Sequence, residues 1–296
     1  MGRIARSWTL MKATMGFLKR NPKLAIFPVL SGVLSIFLVV AIGGGALAGL
    51  AAAGMFREGV GRGVAAAAVP VLAVVYVMCA FVVIVFNAAL IGCVLLDLEG
   101  KPCAWRDGMR LAWARRWVIL RWSLLYAGVG IFLNILENQA NRLPFGGRLL
   151  ARGVLWFTGA AWTLVTFLLV PVLVYEEVNL REGIRRSVAL FKRTWGEQVV
   201  GRIGLSLIAL IVAILAVTIL ALAICIQVKF NPASAAGLIS LWGTAGVLVL
   251  MIVLGAGILG TVLNGIYTAV LYSYAVTGML PKEFPAELAP ARKEGV

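Results

Sequence analysis

Residues able to do acid–base, nucleophilic or metal chemistry are few in this chain. Two acidic pairs stand out, Asp97 with Glu99 and Glu176 with Glu177. Carboxylates so spaced could hold a hard cation, but two acids fall well short of the roughly six oxygens such an ion takes. Both pairs read better as interfacial acids beside basic residues, where a screened ion pair contributes at most about 1 kcal/mol. The chain has no histidine, which removes His-based triads, His-ligated zinc, haem and the usual proton shuttle. Cys79, Cys93, Cys103 and Cys225 form no C-x-x-C pattern, and Cys79 and Cys93 fall about 21 Å apart along a helix. They are expected as small apolar packing residues in a reducing compartment. Gly59, Gly61 and Gly63 follow no strand, so a phosphate loop has no support. The expectation is a non-enzyme with no catalytic residue, no metal ligand and no cofactor.

The elements that carry these residues are not built for water. Hydrophobic residues make up 62% of the 296 and charged residues 13%, with a mean hydropathy of +1.00, whereas soluble domains are roughly half apolar and a quarter charged. Most of the length is taken by apolar runs that match the ~20 residues needed to cross hydrocarbon. A single membrane domain over 1–278 with a cytoplasmic tail, 279–296, is expected. The formal charge of +15 and pI ≈ 10.4 would suggest nucleic acid in a soluble protein. In a membrane protein they read as an orientation signal and attraction to anionic headgroups, so no nucleic acid is expected.

Six apolar runs, Leu24–Met55, Val64–Leu96, Val118–Leu136, Leu149–Tyr175, Ile203–Val228 and Leu238–Val276, predict an all-α polytopic transmembrane bundle. The last run would reach roughly 58 Å as one helix against a core of about 30 Å, so it must tilt, overhang or break. Gly255, Gly257, Gly260 and Gly265 mark the expected break, with a seventh span or re-entrant pair as the alternative. Basic residues divide unevenly between the two sides. The N-terminal segment, second loop, fourth loop and tail hold six, six, six and three; the intervening loops hold two, three and one. The positive-inside rule then puts both termini in the cytoplasm of a prokaryotic cell, in its inner membrane. Ala46, Leu47 and Ala48 after a basic start look like a signal cleavage site, but the preceding apolar run exceeds the usual length, so an uncleaved anchor is expected.

Three stretches on the basic side have amphipathic helical spacing suited to a membrane surface. The first places Ile4, Trp8, Met11, Met15 and Leu18 on one face. The second carries Trp105, Met109, Trp113 and Trp117 among Arg106, Arg110, Arg115, Arg116 and Arg121. The third sets Leu180, Ile184, Val188, Phe191 and Trp195 beside Arg181, Arg185, Arg186, Lys192 and Arg193. Ser7, Leu10, Lys12, Thr14 and Gly16 align without gaps with Ser187, Leu190, Lys192, Thr194 and Gly196, and Arg106–Arg110 mirrors Arg181–Arg185. The chain thus reads as three units, 1–97, 98–175 and 176–278, each an interfacial helix followed by two spans.

The opening Gly2–Trp8, the run Leu24–Gly32 and the loop Glu182–Ser187 resemble an uncharacterised family of prokaryotic six-span membrane proteins of unknown function. More remotely, the loop that runs from Glu182 through Ser187, Leu190 and Lys192 to Trp195 and Gly196 is similar to the membrane domain of some glycerophosphodiester phosphodiesterases. The resemblance covers essentially the whole chain and implies a fold and a location, with no catalytic residues to carry over. Glu176, Glu177 and Arg181 also match the E-E-x-x-x-R signature of prenyl-endopeptidase-like proteins, whose chemistry needs histidines that this chain lacks.

Within the spans Asn87, Asn134 and Asn264 are the clearest polar groups, suited to bonding between helices at roughly 0.6–2 kcal/mol each. The absence of mid-depth ionisable residues argues against proton coupling. Gly45 and Gly49 give a small-xxx-small surface for packing within the monomer or in a homo-oligomer. The leading expectation is a scaffold or binding protein whose basic face takes anionic membrane lipid or an acidic cytosolic protein. Its candidate contacts are Arg106, Arg110, Arg115, Arg116, Arg181, Arg185, Arg186, Lys192, Arg193 and Trp195. The runner-up is a transporter or channel for a lipid or small apolar solute, favoured by a cavity lined by Asn87 and Asn264. Reporter fusions after Gly2 and Glu294 are expected to report cytoplasm, and fusions at Gly61, Gly146 and Pro232 the outside; a C-terminus outside would overturn the six-span topology.

Overall fold

Peptide groups in hydrocarbon have no water to pair with, so apolar runs of this length are committed to helices. The computed structural model describes residues 3–52, 62–230 and 235–278, and every regular element among them is helical. Helix α1 (Arg3–Arg20) passes through a 3-10 turn, Pro22–Ala25, into α2 (Ile26–Leu38), which continues by wider π turns over Val39–Gly44 into α3 (Gly45–Ala52). Helix α4 (Arg62–Leu98) returns, followed by α5 (Trp105–Ala114), α6 (Arg116–Ala140), α7 (Phe145–Val165), α8 (Leu169–Tyr175), α9 (Leu180–Phe230) and α10 (Ala235–Thr277). Six stretches are long and apolar enough to cross a membrane: Pro22–Leu50, Ala68–Leu98, Arg116–Ala140, Phe145–Tyr175, Ala209–Lys229 and Gly237–Thr277. They match the six apolar runs one for one. The proposed tail, 279–296, lies outside the described residues.

Three features depart from expectation. The third amphipathic stretch is not a separate helix: α9 runs unbroken for 51 residues, roughly 76 Å at 1.5 Å per residue. The chain has no proline between Pro171 and Pro232, so nothing removes an amide from the helical ladder. For the same reason α10 continues for 43 residues through Gly255, Gly257, Gly260 and Gly265, with no seventh span, since glycine weakens a helix but keeps its N–H. The break falls instead in the fourth span, at Thr166–Leu168. Pro171 denies Phe167 its helical donor, and the Trp162 carbonyl accepts both the Thr166 N–H at 3.0 Å and its hydroxyl at 2.8 Å.

The packed core sits at the basic end. Leu168, Val172 and Val174 of the fourth span are almost fully buried against Ala88–Leu95 of α4 and residues of Val262–Tyr272 of α10, while Leu169 and Leu173, equally buried, pack with Trp122 of α6. Phe17, Leu18 and Phe27 close it from the N-terminal side. Toward the other end large apolar side chains such as Ile36, Phe37, Val217 and Met251 are exposed, as suits segments solvated by lipid.

Gly108 and Gly183 let α5 and α9 dock on this core. A Cβ at Gly108 would lie 2.6 Å from the Ala89 carbonyl oxygen, and one at Gly183 2.6 Å from Leu173 Cδ2. Both sit at the same place in the Arg-acid-Gly-apolar-Arg segments aligned above. Gly108→Ala is expected to destabilise by about 1–3 kcal/mol through overpacking against backbone that cannot swing away, read as a lower Tm in mild detergent. Gly128→Ala, with open space at its Cβ, serves as the unaffected control.

Candidate functional site

Helix α5 is amphipathic in an unusual sense: its buried side is made of small residues, Gly108 and Ala112. That lets the helix lie close on α4 and turns its large aromatic residues outward. Trp105, Trp113 and, just beyond, Trp117 are 42%, 53% and 64% exposed. The Arg106 guanidinium lies 5.5 Å from the Trp105 ring centre, and that of Arg116 lies 5.9 Å from Trp113 and 5.8 Å from Trp117. Arg110 and Arg121 are exposed near them. The Asp107 carboxylate accepts the Ala104 N–H at 3.1 Å and fixes the start of the helix.

Arg115, grouped by sequence with these arginines, points the other way. From the turn between α5 and α6 its Nε donates to the Leu173 carbonyl at 3.3 Å and its Nη2 to the Val178 carbonyl at 3.1 Å. It caps the end of α8, where carbonyls left without helical partners favour a cation.

On α9 the inward face is Gly183, Ser187 and Leu190. Leu180 and Ile184, expected at the headgroup boundary, are instead partly buried against the cluster of Trp122, Leu169 and Leu173. Arg181, Arg185, Arg186 and Lys192 are exposed; the side chains of Arg193 and Trp195 lie outside the described residues. Arg186 is spoken for: its Nε lies 3.0 Å from Glu176 Oε2 and 3.2 Å from Oε1. The same Oε1 accepts the Tyr272 hydroxyl at 3.0 Å. With its side chain 19% exposed, Glu176 is no freely solvated acid but a tie between α8, α9 and α10. Glu177 adopts a left-handed backbone, φ 55°, where the chain turns from α8 to α9.

The acidic pairs do not converge. Asp97 accepts from Asn21 Nδ2 at 2.7 Å and Glu99 pairs with Lys101 at 2.9 Å, away from the partners of Glu176. Among the described residues no group of three or more Cys, Asp or Glu is placed to hold a metal. The cysteine expectation needs correction for two of the four. Cys93 and Cys103 form a disulfide with Cα atoms 5.5 Å apart, while Cys79 and Cys225 are free. The loop after α4 folds back far enough to bring Cys103 over Cys93.

The three asparagines go separate ways. Asn134 is exposed and accepts from Asn138 on its own helix at 3.0 Å, so it does not bridge helices there. Asn87 lines a cavity between α2, α4 and α10, with Ser31, Ser35 and Thr261, but Asn264 is not among its walls. Tyr272, Ser35 and the Cys93–Cys103 bridge were not singled out by sequence, and Arg115 was placed on the outer surface, because what they meet lies on other segments.

The profile of a family of unknown function (DUF6159) matches residues 66–281. The chain belongs to that family. No curated protein and no solved structure matches the chain, so the likeness to the membrane domain of glycerophosphodiester phosphodiesterases has no counterpart among the matches. Family membership and the six apolar helices agree on a multi-pass membrane protein.

Glu176 generates a direct test. Glu176→Gln keeps an acceptor for the Tyr272 hydroxyl and is expected to cost less than Glu176→Ala, which leaves that buried group unpaired at about 1–3 kcal/mol. In Tyr272→Phe the gap between the two substitutions should narrow to what the half-exposed Arg186 contact contributes, at most about 1 kcal/mol. Thermal melting of wild type, the two Glu176 variants, Tyr272→Phe and the two double variants in detergent checks the cycle, and equal costs in both backgrounds would remove the tie.

Proposed function

We propose that this DUF6159 protein is a non-enzymatic membrane protein of a prokaryotic inner membrane, with both termini cytoplasmic, whose basic end binds anionic lipid. The observation that carries this reading is the outward face of α5 and the start of α6, where Trp105, Trp113 and Trp117 are exposed with Arg106 and Arg116 over their rings. Tryptophan rests at headgroup depth, with its ring in the apolar boundary and its N–H toward water. Arginine at that level meets phosphate oxygens with a planar, multiply donating group. Positive-inside sorting alone accounts for basic loops but asks for no tryptophans among them. Arg110, Arg181 and Arg185 extend the surface, whereas Arg115 and Arg186 are engaged within the fold and belong to its support. No cofactor is needed for this role. An acidic cytosolic protein on the same surface is the competing outcome of the test. The cavity beside Asn87 favours a second reading, a transporter or channel for a lipid or small apolar solute, although Asn264 does not join it.

Each basic group near an anionic surface contributes roughly 1 kcal/mol, so reversing two should weaken binding by at least about tenfold. Wild type and Arg106→Glu/Arg116→Glu are titrated in mild detergent with short-chain phosphatidylglycerol, following tryptophan fluorescence, and co-purified anionic lipid is quantified. Arg142→Glu/Arg148→Glu at the opposite end should behave as wild type. Unchanged affinity in a folded Arg106/Arg116 variant would reduce these arginines to orientation signals; recovery of an acidic protein with unchanged lipid would favour the partner reading.

A further inference from the structure

Hydroxyl groups in the spans of this protein mostly satisfy themselves. Ser123, Thr158, Thr163, Thr218 and Thr244 each donate to the carbonyl four residues back at 2.7–2.8 Å, and Thr261 does the same to Gly257. Among the described residues two buried side-chain polar atoms depart from this pattern. Ser35 Oγ and Asn87 Oδ1 have no hydrogen-bond partner. In hydrocarbon no bulk water repairs such a loss, so an unpaired amide oxygen and an unpaired hydroxyl together are a standing demand for a partner.

Both residues line the same cavity of about 260 Å³ between α2, α4 and α10. Asn87, Ser35 and Thr261 lie roughly 14–24 Å along their helices from the basic end, which is mid-depth in a hydrocarbon core of about 30 Å. Leu90 seats against Gly265 and closes the α10 side. The Cys79 thiol donates to the Ser35 carbonyl at 3.8 Å, linking α2 to α4. Apart from Ser31 the remaining walls are apolar, with Phe27, Pro28, Val83 and Phe86 among them, and among the described residues no charged side chain lines the space. Gly32, Val83 and Thr261 are themselves exposed, so the mouth opens sideways toward lipid.

The chemistry of the walls selects the occupant. Asn87 Oδ1 needs a donor and Ser35 Oγ can donate or accept, a demand that hydroxyl chemistry meets. Apolar walls without a counter-charge disfavour an ionised headgroup. The volume corresponds to roughly eight or nine waters, enough for a glycerol-like head and the first carbons of its chains. We infer that the cavity between α2, α4 and α10 binds the free hydroxyl of a neutral lipid of the diacylglycerol type, entering from the bilayer. Among the described residues this site has no basic side chain, and it stands apart from the surface proposed for anionic lipid.

The test uses the full chain in phosphatidylcholine nanodiscs with a diazirine-bearing diacylglycerol, mapping the crosslinked peptides. Labelling should saturate on α2 and α4 and be displaced by unlabelled diacylglycerol but not by hexadecane. Ser35→Ala should lower it severalfold and Asn87→Leu at least tenfold, and Val83→Trp should block the mouth with both polar groups still present. Arg106→Glu/Arg116→Glu should leave it unchanged, so failure here is distinct from failure of the anionic-lipid reading. Should Asn87→Leu not fold, Ser35→Ala and Val83→Trp decide. Labelling that never saturates would leave the cavity to water and overturn the inference. Equal displacement by hexadecane, or undiminished labelling in both Ser35→Ala and Val83→Trp, would overturn it as well.

Discussion

A seven-residue helix buried among apolar neighbours must find partners for its last carbonyl groups without help from water, and α8 finds one in Arg115. The guanidinium reaches from the turn between α5 and α6 to the Leu173 and Val178 carbonyls. A hydrogen bond from a charged donor is worth roughly 1.5–3 kcal/mol, more than a neutral one. The consequence is positional as well as energetic. Anchoring Arg115 fixes the orientation of α5, so that Gly108 and Ala112 face α4 while Trp105 and Trp113 face outward. The lipid-facing surface proposed above is therefore set from inside the bundle.

A second tie works on the other side of α8. Glu176 receives the Tyr272 hydroxyl and the Arg186 guanidinium together, drawing α10 and α9 onto the end of the fourth span. The arginines of the basic end thus fall into two kinds. Arg115 and Arg186 hold the fold, and Arg106, Arg110, Arg116, Arg181 and Arg185 stay exposed. Their shared charge satisfies the orientation rule in either case, which is why composition treats them alike.

The bundle is tight where these ties are and open where they are not. Away from the basic end the helices expose broad apolar surface, at no cost when lipid chains replace protein contacts. The cavity beside Asn87 lies where this loosening begins, between the seat of Leu90 on Gly265 and the outer parts of α2 and α10. A polar group at that depth is held in place by neighbours yet remains within reach of lipid.

The six spans and the uneven distribution of basic residues were legible from the amino acids alone, because both are local properties. A run of about twenty apolar residues has one solution in hydrocarbon, a helix. The matching segments Arg106–Arg110 and Arg181–Arg185 each carry a glycine, but the close approach at Gly108 and Gly183 came to light only with their neighbours in place. Sequence pattern misjudged where helices end. Glycines at Gly255–Gly265 left α10 intact, while Pro171, with no amide to give the preceding turn, fell where the fourth span is interrupted. The pairings, by contrast, follow from how the helices pack. Tyr272 meets Glu176 across 96 positions and Arg115 meets Leu173 across 58, and the disulfide joins Cys93 to Cys103 through the fold of a loop. Residue type and periodicity carry no record of partners so far apart, because hydrogen bonds between segments depend on how the helices cross.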